Sequence, residues 1–195
     1  KFDLGAALAR KEVAVGQLRE GLEERLKCAG VSIIKATAYI KGKADGLFIT
    51  AVGEEEIYSK YLLVCTGSRP NGPKVPGADI MAAGEVYSLK KIPASATVIG
   101  GGAAGLEAAE YLNALGCRVS VIEQADRLAP TMDKNIGSFL RRSLRKNGIN
   151  ILTSQKAVST DGRRVEYTDA HGKTGTASAD IIINASGRTA CSDGL

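Results

Sequence analysis

The fold is decided by the stretch Thr97-Val-Ile-Gly-Gly-Gly-Ala-Ala-Gly-Leu-Glu107, where an apolar run leads into clustered glycines and then into an alanine-rich segment. The apolar residues before Gly100 predict a buried strand, and residues 103–115 predict a helix that ends at Gly116. The glycines have the spacing G-x-G-x-x-G. A strand, a tight glycine turn and a helix in this order are typical of the first half of a βαβ unit.

The glycine spacing has a chemical interpretation as a phosphate-binding turn. Gly100 permits the tight turn, Gly102 lets the backbone approach a pyrophosphate, and Gly105 allows close packing of helix against strand. The backbone N–H groups at the helix start, from Gly102 through Ala103 and Ala104 to Gly105, can donate to phosphate oxygens, and the helix dipole favours the negative charge. The alternative is a glycine-rich turn that binds nothing.

A second apolar run over residues 118–123 predicts the next strand, and it ends in Glu123, 18 residues after Gly105. A carboxylate at this position would accept hydrogen bonds from both adenine-ribose hydroxyls and would repel a 2′-phosphate. The sequence therefore predicts NAD as the cofactor. Arg127, four residues later, keeps NADP open as an alternative.

The rest of the C-terminal half alternates helices and strands. The patterns predict a helix over 133–147, strands over 149–152 and 180–185, and a hairpin from 165–168 and 175–177. Strands that alternate with helices of this length predict an α/β fold with a Rossmann-like parallel sheet.

The N-terminal half has a different pattern. Residues 15–29 carry apolar side chains three and four positions apart, which predicts an amphipathic helix ended by Gly30. Residues 31–66 predict a small meander of strands, with the run 61–65 in a strand that is covered on both faces. Residues 66–80, rich in proline and glycine, predict an irregular connection.

Composition excludes several classes of protein. Of 195 residues, 44% are hydrophobic and 24% are charged, which argues against disorder, and no apolar run approaches the ~18 residues of a spanning helix. The missing apolar run therefore predicts no membrane among the partners. Tryptophan is absent and aromatic residues make up 5%, so we expect no nucleic acid among them either. The net charge of +5 comes from dispersed lysines and arginines.

The residues that most often carry catalysis or bind metals form no recognisable site. Cys28, Cys65, Cys117 and Cys191 are far apart and give neither a C-x-x-C pair nor a zinc spacing. Reduced cysteines fit a cytoplasmic location. The single histidine, His171, lies in a polar segment. We therefore predict no metal site and no catalytic residue in this chain.

Four segments resemble those of the pyridine nucleotide-disulfide oxidoreductases. Residues 98–107 resemble the second dinucleotide motif of that family, and Thr66-Gly-Ser-Arg-Pro70 resembles its A-T-G-S-x-P segment, with Cys65 where alanine is usual. Residues 84–93 resemble the lead-in to the NAD domain. Asn184-Ala-Ser-Gly-Arg188 resembles the segment that closes it, although the proline that usually follows is missing.

The resemblance implies a larger flavoenzyme of which this chain is a part. Family members of this type begin with another G-x-G-x-x-G, for FAD, followed by a redox-active C-x-x-x-x-C, and end with a dimerisation domain that supplies a catalytic histidine and glutamate. This chain has none of these. We therefore expect an internal fragment, inactive alone, with a partial FAD-domain remnant over 1–88, an NAD-binding domain over 89–190 and a truncated tail over 191–195.

The members that the chain resembles most are the flavoproteins of 2-oxo acid dehydrogenase complexes. The resemblance implies that the full-length protein passes electrons from dihydrolipoamide through a disulfide and FAD to NAD. It also implies a homodimer, with a 2-oxo acid dehydrogenase complex as a candidate assembly.

The resemblance extends the list of cofactor residues. Glu107 matches a family glutamate that faces the nicotinamide near the flavin, although an acidic residue early in a helix also complements the helix dipole. Gly187 matches a glycine whose backbone lies against the cofactor. Thr66 and Gly67 match flavin-domain contacts, but without the first FAD motif we expect the fragment to bind no FAD.

Two other functions remain open at this point. The chain would also suit a fragment of a related FAD/NAD(P)H reductase of the mercuric, coenzyme A-disulfide or ferredoxin type, or a non-enzymatic module that senses NAD(H). The upstream reading frame separates them: a C-x-x-x-x-C supports the disulfide enzyme, a single cysteine or none supports the related reductases, and a start codon supports the sensing module.

Overall fold

The computed structural model describes residues 2–71, 75–76 and 80–194, and the chain divides into two compact units. The first unit comprises residues 1–69 and 190–195, and the second comprises residues 70–189. In chain order the elements are α1 (Leu4–Cys28), β1 (Ala38–Ala44), β2 (Leu47–Val52), β3 (Glu55–Ser59), β4 (Ser68–Pro70), β5 (Met81–Ala82), a 3₁₀ helix (Ala83–Ser88), β6 (Ser95–Ile99), α2 (Ala103–Ala114), β7 (Arg118–Ile122), α3 (Lys134–Lys146), β8 (Asn150–Leu152), β9 (Lys156–Thr160), β10 (Arg164–Thr168), β11 (Thr174–Ser178), β12 (Ile181–Asn184) and β13 (Arg188–Ala190).

The long helix α1 of the first unit is bounded by two local signals. Its first turn is capped by the Asp3 carboxylate, which accepts a hydrogen bond from the Ala6 N–H at 3.0 Å. Its C-terminus is closed at Gly30, whose φ of +74° suits a residue without Cβ. The predicted stop is therefore confirmed, whereas the helix begins eleven residues before the predicted position 15 because Asp3 caps it there. Among the described residues no helix is long and apolar enough to cross a membrane.

The rest of the first unit contains an antiparallel sheet in the order β1-β2-β3, which confirms the predicted meander in part. The predicted strand over 61–65 is wrong. These residues form irregular backbone in which Tyr61 is 89% and Leu63 86% exposed. A strand covered on both faces needs backbone groups on a neighbouring strand. Among the described residues, no strand pairs with 61–65.

The second unit is built on a five-stranded sheet in the order β5-β12-β6-β7-β8, and every pair in it is parallel. Val98, Val121 and Ile183 are fully buried on one face of this sheet, where they pack against α2. Ile99, Ile122 and Ile182 point to the opposite face, because side chains alternate along a strand. The predicted α/β class with a parallel sheet is confirmed.

The opposite face of the parallel sheet is covered by a second, antiparallel sheet in the order β11-β10-β9. Val165 on β10 is fully buried and packs with Ile99, Ile122 and Ile182. The hairpin of β10 and β11 is confirmed, whereas β9 was not predicted. The second unit is thus layered, with α2, the parallel sheet and the antiparallel sheet stacked in that order.

The boundary between the two units, at residues 69 and 70, does not coincide with the predicted domain boundary at residues 88 and 89. β5 and the 3₁₀ helix, which ends at residue 88, belong to the second unit, because β5 pairs with β12 and the 3₁₀ helix packs on α2. The functional domains 1–88, 89–190 and 191–195 stay a prediction. Within the predicted connection 66–80, residues 72–74 and 77–79 lie outside the described residues, as do residues 1 and 195.

Candidate nucleotide-binding site

The candidate site lies at the carboxyl edge of the parallel sheet. From β6 the chain proceeds to β7 and then β8 on one side, and it returns to β12 on the other side of β6. Such a reversal of strand order leaves a crevice beyond the strand ends, which is where ligands bind in open α/β sheets. The glycine turn follows β6 at this crevice, and residues 185–187 follow β12 beside it.

The three glycines of the spacing have three different surroundings. Gly100 has a φ of +111°, and a Cβ there would lie 2.5 Å from the Ala185 carbonyl oxygen. A Cβ on Gly105 would overlap the carbonyl oxygen of Gly100. Gly102 differs, because no heavy atom of the described residues lies within 4 Å of its Cβ position. Gly100 and Gly105 are thus required by packing, whereas Gly102 borders open space.

Helix α2 starts at this turn without a side-chain cap. Gly102 is its N-cap residue, and the first hydrogen bond along the helix runs from the Leu106 N–H to the Gly102 carbonyl at 3.0 Å. The N–H groups of the first turn, at Ala103, Ala104 and Gly105, precede that bond and have no partner within the helix. They form an electropositive end that is suited to an anion.

Glu123 follows β7 and is 7% exposed. Its Oε2 accepts a hydrogen bond from the Gly101 N–H at 2.6 Å, and its Oε1 accepts one from the Ala125 N–H at 2.7 Å. Sequence analysis gave Glu123 a role toward a ribose but missed this structural role. Because Glu123 occupies the Gly101 N–H, that group is not available to a phosphate, and each carboxylate oxygen keeps a lone pair for a further donor.

Two cavities open at the crevice, and Ala185 borders both of them. The first, cavity 1, has a volume of about 400 Å³ and is bordered by Gly102, Glu123 and Pro130. The second, cavity 2, has a volume of about 260 Å³ and is bordered by Tyr87, Ala104 and Glu107. Gly187 borders both cavities, and its φ of +124° is one that favours glycine.

The structure therefore brings most of the predicted NAD residues together. Gly100, Gly102, Glu123 and Gly187 border cavity 1, and Ala104 and Glu107 border cavity 2 with Gly187. Ala103 contributes to the open first turn, and Gly105 packs against the turn itself. Whether these residues bind a nucleotide stays a prediction.

Arg127, the residue that left NADP as an alternative cofactor, is hydrogen-bonded within the loop after β7. Its Nη2 donates a hydrogen bond to the Pro130 carbonyl at 2.8 Å, and its buried Nε has no hydrogen-bond partner among the described residues. This contact holds the segment that borders cavity 1. To reach a 2′-phosphate, the side chain would have to give up the bond to Pro130.

Thr66 and Gly67 lie in the first unit and are tied to its C-terminal segment. The Thr66 hydroxyl donates a hydrogen bond to the Cys191 carbonyl at 2.5 Å, and the Cys191 N–H donates one to the Gly67 carbonyl at 3.0 Å. The Thr66 proton is therefore used within the protein, although its oxygen can still accept a bond. A flavin role for both residues stays a prediction.

The other titratable candidates, His171 and Cys117, border neither cavity 1 nor cavity 2. His171 is exposed in the turn after β10, where the Asp169 carboxylate accepts hydrogen bonds from the His171 and Lys173 N–H groups at 2.9 and 3.0 Å. The hydrogen bond from Lys173 is the main reason why the pKa of Asp169 is lowered. Burial raises the pKa of the Cys117 thiol to about 11, which disfavours the reactive thiolate. In the described part of the chain no group of three acidic, cysteine or histidine side chains could hold a metal ion.

Comparison with known proteins identifies the family. The sequence model of the family described as pyridine nucleotide-disulphide oxidoreductase matches residues 4–195. The chain belongs to the pyridine nucleotide-disulphide oxidoreductase family. Among the relatives in this family, dihydrolipoyl dehydrogenase of Acholeplasma laidlawii is 31% identical, with 100% of this chain and 58% of that protein covered. Dihydrolipoamide dehydrogenase of Chaetomium thermophilum is 32% identical, with 100% and 41% covered.

A solved structure has the same fold. The HOCl-induced flavoprotein disulfide reductase RclA from Escherichia coli, as its Cu(II) complex, superposes with a TM-score of 0.79 at 23% identity. The match covers 100% of this chain and 45% of that one. The chain thus spans about half the length of the proteins that it matches.

We expect the purified chain to be colourless, even after incubation with FAD and gel filtration. The G-x-G-x-x-G spacing at Gly100–Gly105 is the one that we assign to NAD. FAD would need a second pyrophosphate loop of its own. The measurement is visible absorbance of the protein peak, with released flavin quantified after denaturation. Flavin that coelutes in stoichiometric amount would contradict this expectation.

Proposed function

We propose that this chain is the NAD(H)-binding part of a flavin-dependent disulfide oxidoreductase of the dihydrolipoyl dehydrogenase type. The observation that carries the proposal is the open position at Gly102, between two glycines that packing requires. Apart from its chain neighbours, no described residue has a heavy atom within 4 Å of a Cβ at Gly102, so packing among the described residues does not explain a glycine there. A pyrophosphate that approaches the backbone does explain it, because the N–H groups of the uncapped helix start lie beside it.

The position of Glu123 supports NAD over NADP. Its carboxylate borders cavity 1 and is held by the Gly101 and Ala125 N–H groups. Both adenine-ribose hydroxyls are donors that a fixed carboxylate can accept from, and a bond to a charged group contributes about 1.5–3 kcal/mol. NADP carries a phosphate in place of the 2′-hydroxyl, so it would lose one of these bonds and would meet a like charge. We therefore assign cavity 1 to the adenosine half of NAD.

Cavity 2 is our candidate for the nicotinamide half. It shares Ala185 and Gly187 with cavity 1. One molecule with its pyrophosphate at the Gly102 turn could therefore extend into both. Glu107 borders this second cavity and is exposed. This arrangement supports the nicotinamide assignment for Glu107 over a role limited to the helix dipole.

In the whole protein we propose the reaction of the named relatives, in which dihydrolipoamide and NAD⁺ give lipoamide, NADH and a proton. FAD, when bound, supplies the two-electron step between a dithiol and the nicotinamide. The residues of this chain bind and orient the NAD acceptor. A homodimer, a 2-oxo acid dehydrogenase complex as its assembly and a cytoplasmic location belong to the same proposal.

The proposal predicts a clear nucleotide preference. By calorimetric titration, the wild-type chain should bind NAD⁺ at least about tenfold more tightly than NADP⁺, because one charge-assisted contact is lost and a repulsion is added. Glu123→Gln keeps one acceptor oxygen for a backbone N–H but removes the charge. We expect this variant to lose most of the preference.

The matched control is Asp126→Asn, which removes a charge from the same loop at an exposed position that does not border cavity 1. It should keep the wild-type preference. Equal or tighter binding of NADP⁺ by the wild-type chain would overturn the role given to Glu123. If neither nucleotide binds at millimolar concentration, the proposed function itself fails for this chain.

A further inference from the structure

The peptide group between Gly101 and Gly102 is held by a residue outside the glycine turn. Its carbonyl oxygen, which belongs to Gly101, accepts a hydrogen bond from the Ala129 N–H at 2.8 Å. Ala129 lies in the segment between β7 and α3 and is 2% exposed. The donor therefore lies away from water, where a hydrogen bond is electrostatically stronger than at the surface.

This bond determines the direction of the Gly102 N–H. In a trans peptide group the carbonyl and the N–H lie in one plane and point in opposite directions, and the described part of the chain contains no cis peptide. Because the Gly101 carbonyl points toward Ala129, the Gly102 N–H points away from it. No described residue accepts a hydrogen bond from the Gly102 N–H. This donor is therefore oriented but not used within the protein.

Ala129 occupies its position in an unusual backbone conformation. Its φ is +46°, in the left-handed region that residues with a Cβ rarely adopt. Such a conformation persists only where the surrounding structure imposes it. The Ala129 carbonyl accepts from the Met132 N–H at 2.9 Å, and the Pro130 carbonyl accepts from the Arg127 side chain at 2.8 Å. These two bonds close the segment into a turn that directs the Ala129 N–H toward Gly101.

A phosphate oxygen is a complementary acceptor for the Gly102 N–H. The N–H groups in the first turn of α2 follow it directly and also lack partners within the helix. Resting on the proposed function, we propose that Ala129 is a positioning residue, whose N–H fixes the peptide group that orients the Gly102 N–H toward the pyrophosphate. The glycine spacing gave no role to Ala129, which lies outside the motif.

The two hydrogen bonds of this peptide group should strengthen each other. One uses the Gly101 carbonyl and the other uses the Gly102 N–H. An acceptor at the N–H polarises the peptide group, and the polarised carbonyl is a better acceptor. Binding of a pyrophosphate at Gly102 should therefore strengthen the hydrogen bond from Ala129, although Ala129 itself does not contact the ligand.

The first experiment uses the unmodified chain. NMR of the ¹⁵N-labelled protein records the amide proton shifts of Gly102 and Ala129 with and without saturating ADP-ribose, a probe that carries adenosine and the pyrophosphate. We expect both protons to move downfield, because one hydrogen bond forms and the other strengthens. The Met132 amide proton is the internal reference and should move less. A downfield shift at Gly102 without one at Ala129 would overturn the role of Ala129.

The second experiment removes the donor alone. Lactic acid in place of Ala129, introduced during cell-free synthesis, keeps the side chain and replaces the N–H by an ester oxygen. The matched control is the hydroxy acid analogue of methionine at Met132, which removes the bond within the segment and leaves the Gly101 carbonyl bonded. Ala129→Gly is the second control, because it keeps the N–H and relieves the left-handed φ.

We expect the ester at Ala129 to weaken ADP-ribose about three- to tenfold by calorimetry, as for the loss of one hydrogen bond. It should also lose most of the downfield shift of Gly102, which a merely structural defect would not affect in a folded chain. The ester at Met132 should change the affinity by less than about twofold. Ala129→Gly should bind as wild type does and unfold at a higher temperature.

Equal weakening by the two esters would show that Ala129 only stabilises its own segment. Its positioning role would then be wrong, and the NAD site would stand. Unchanged affinity of the ester at Ala129 would lead to the same conclusion. If that ester does not fold, the shifts of the unmodified chain decide. If wild type binds no ADP-ribose, the proposed function fails, and the role of Ala129 fails with it.

Discussion

Gly105→Ala should lower the free energy of unfolding of the second unit by about 3 kcal/mol, which is the upper end of the usual cost of overpacking. The added methyl group would overlap the carbonyl oxygen of Gly100 and would lie 3.0 Å from the Cβ of Ala185. Neither the turn nor the end of β12 can yield without disturbing the first turn of α2. Thermal unfolding followed by circular dichroism should show a midpoint about 6–12 °C below wild type for a chain of this size.

The matched control for this effect is Gly102→Ala, three residues earlier in the same turn. Its φ of −79° is accessible to alanine, and its Cβ would have no described heavy atom within 4 Å. The expected loss is about 1 kcal/mol or less, since alanine is a poorer N-cap than glycine. Equal destabilisation by the two substitutions would show that Gly105 is not the point of close contact between helix and turn.

The largest effect on binding is expected from Gly102→Val. The two methyl groups would enter cavity 1 at the point where we propose that the pyrophosphate approaches the backbone. Loss of that approach should weaken NADH by at least about tenfold, because a steric cost of 1–3 kcal/mol corresponds to one or two decades of affinity. The quenching or enhancement of NADH fluorescence on titration measures the change.

The control is Gly21→Val, at a half-buried position of α1, where no described heavy atom beyond the neighbouring helix backbone lies within 4 Å of the Cβ position. It carries the same side-chain change and should bind NADH as wild type does. The circular dichroism spectrum and unfolding midpoint of Gly102→Val must stay close to wild type for the comparison to hold. Undiminished NADH binding by a folded Gly102→Val would remove the main support for the proposed function.

The elements that sequence analysis predicted well are those with local end signals. Helix α3 begins after Asp133, whose carboxylate accepts a hydrogen bond from the Asn135 N–H, and it ends before Gly148 in a left-handed conformation. Gly116 closes α2 in the same way. The buried strands β6 and β7 are also evident, because each is a short segment rich in valine, isoleucine and threonine that lies close to a glycine.

The features that were missed depend on pairing and packing partners that their own side chains do not identify. β9 alternates half-buried and exposed residues of mixed polarity, so its strand character comes from pairing with β10 rather than from its own side chains. The run 61–65 has the composition of a buried strand, yet composition does not supply a pairing partner. The contact between Tyr87 and Tyr111 joins two elements that no spacing rule connects.

The hydrogen bonds of Glu123 also have a consequence for ligand affinity. One carboxylate links the glycine turn, through Gly101, to the segment after β7, through Ala125. Together with the hydrogen bond from the Ala129 N–H to the Gly101 carbonyl at 2.8 Å, this carboxylate orders both loops when the protein folds. Little conformational entropy therefore remains to be lost on association. The crevice is preorganised, and its backbone should change little between the free and the bound protein.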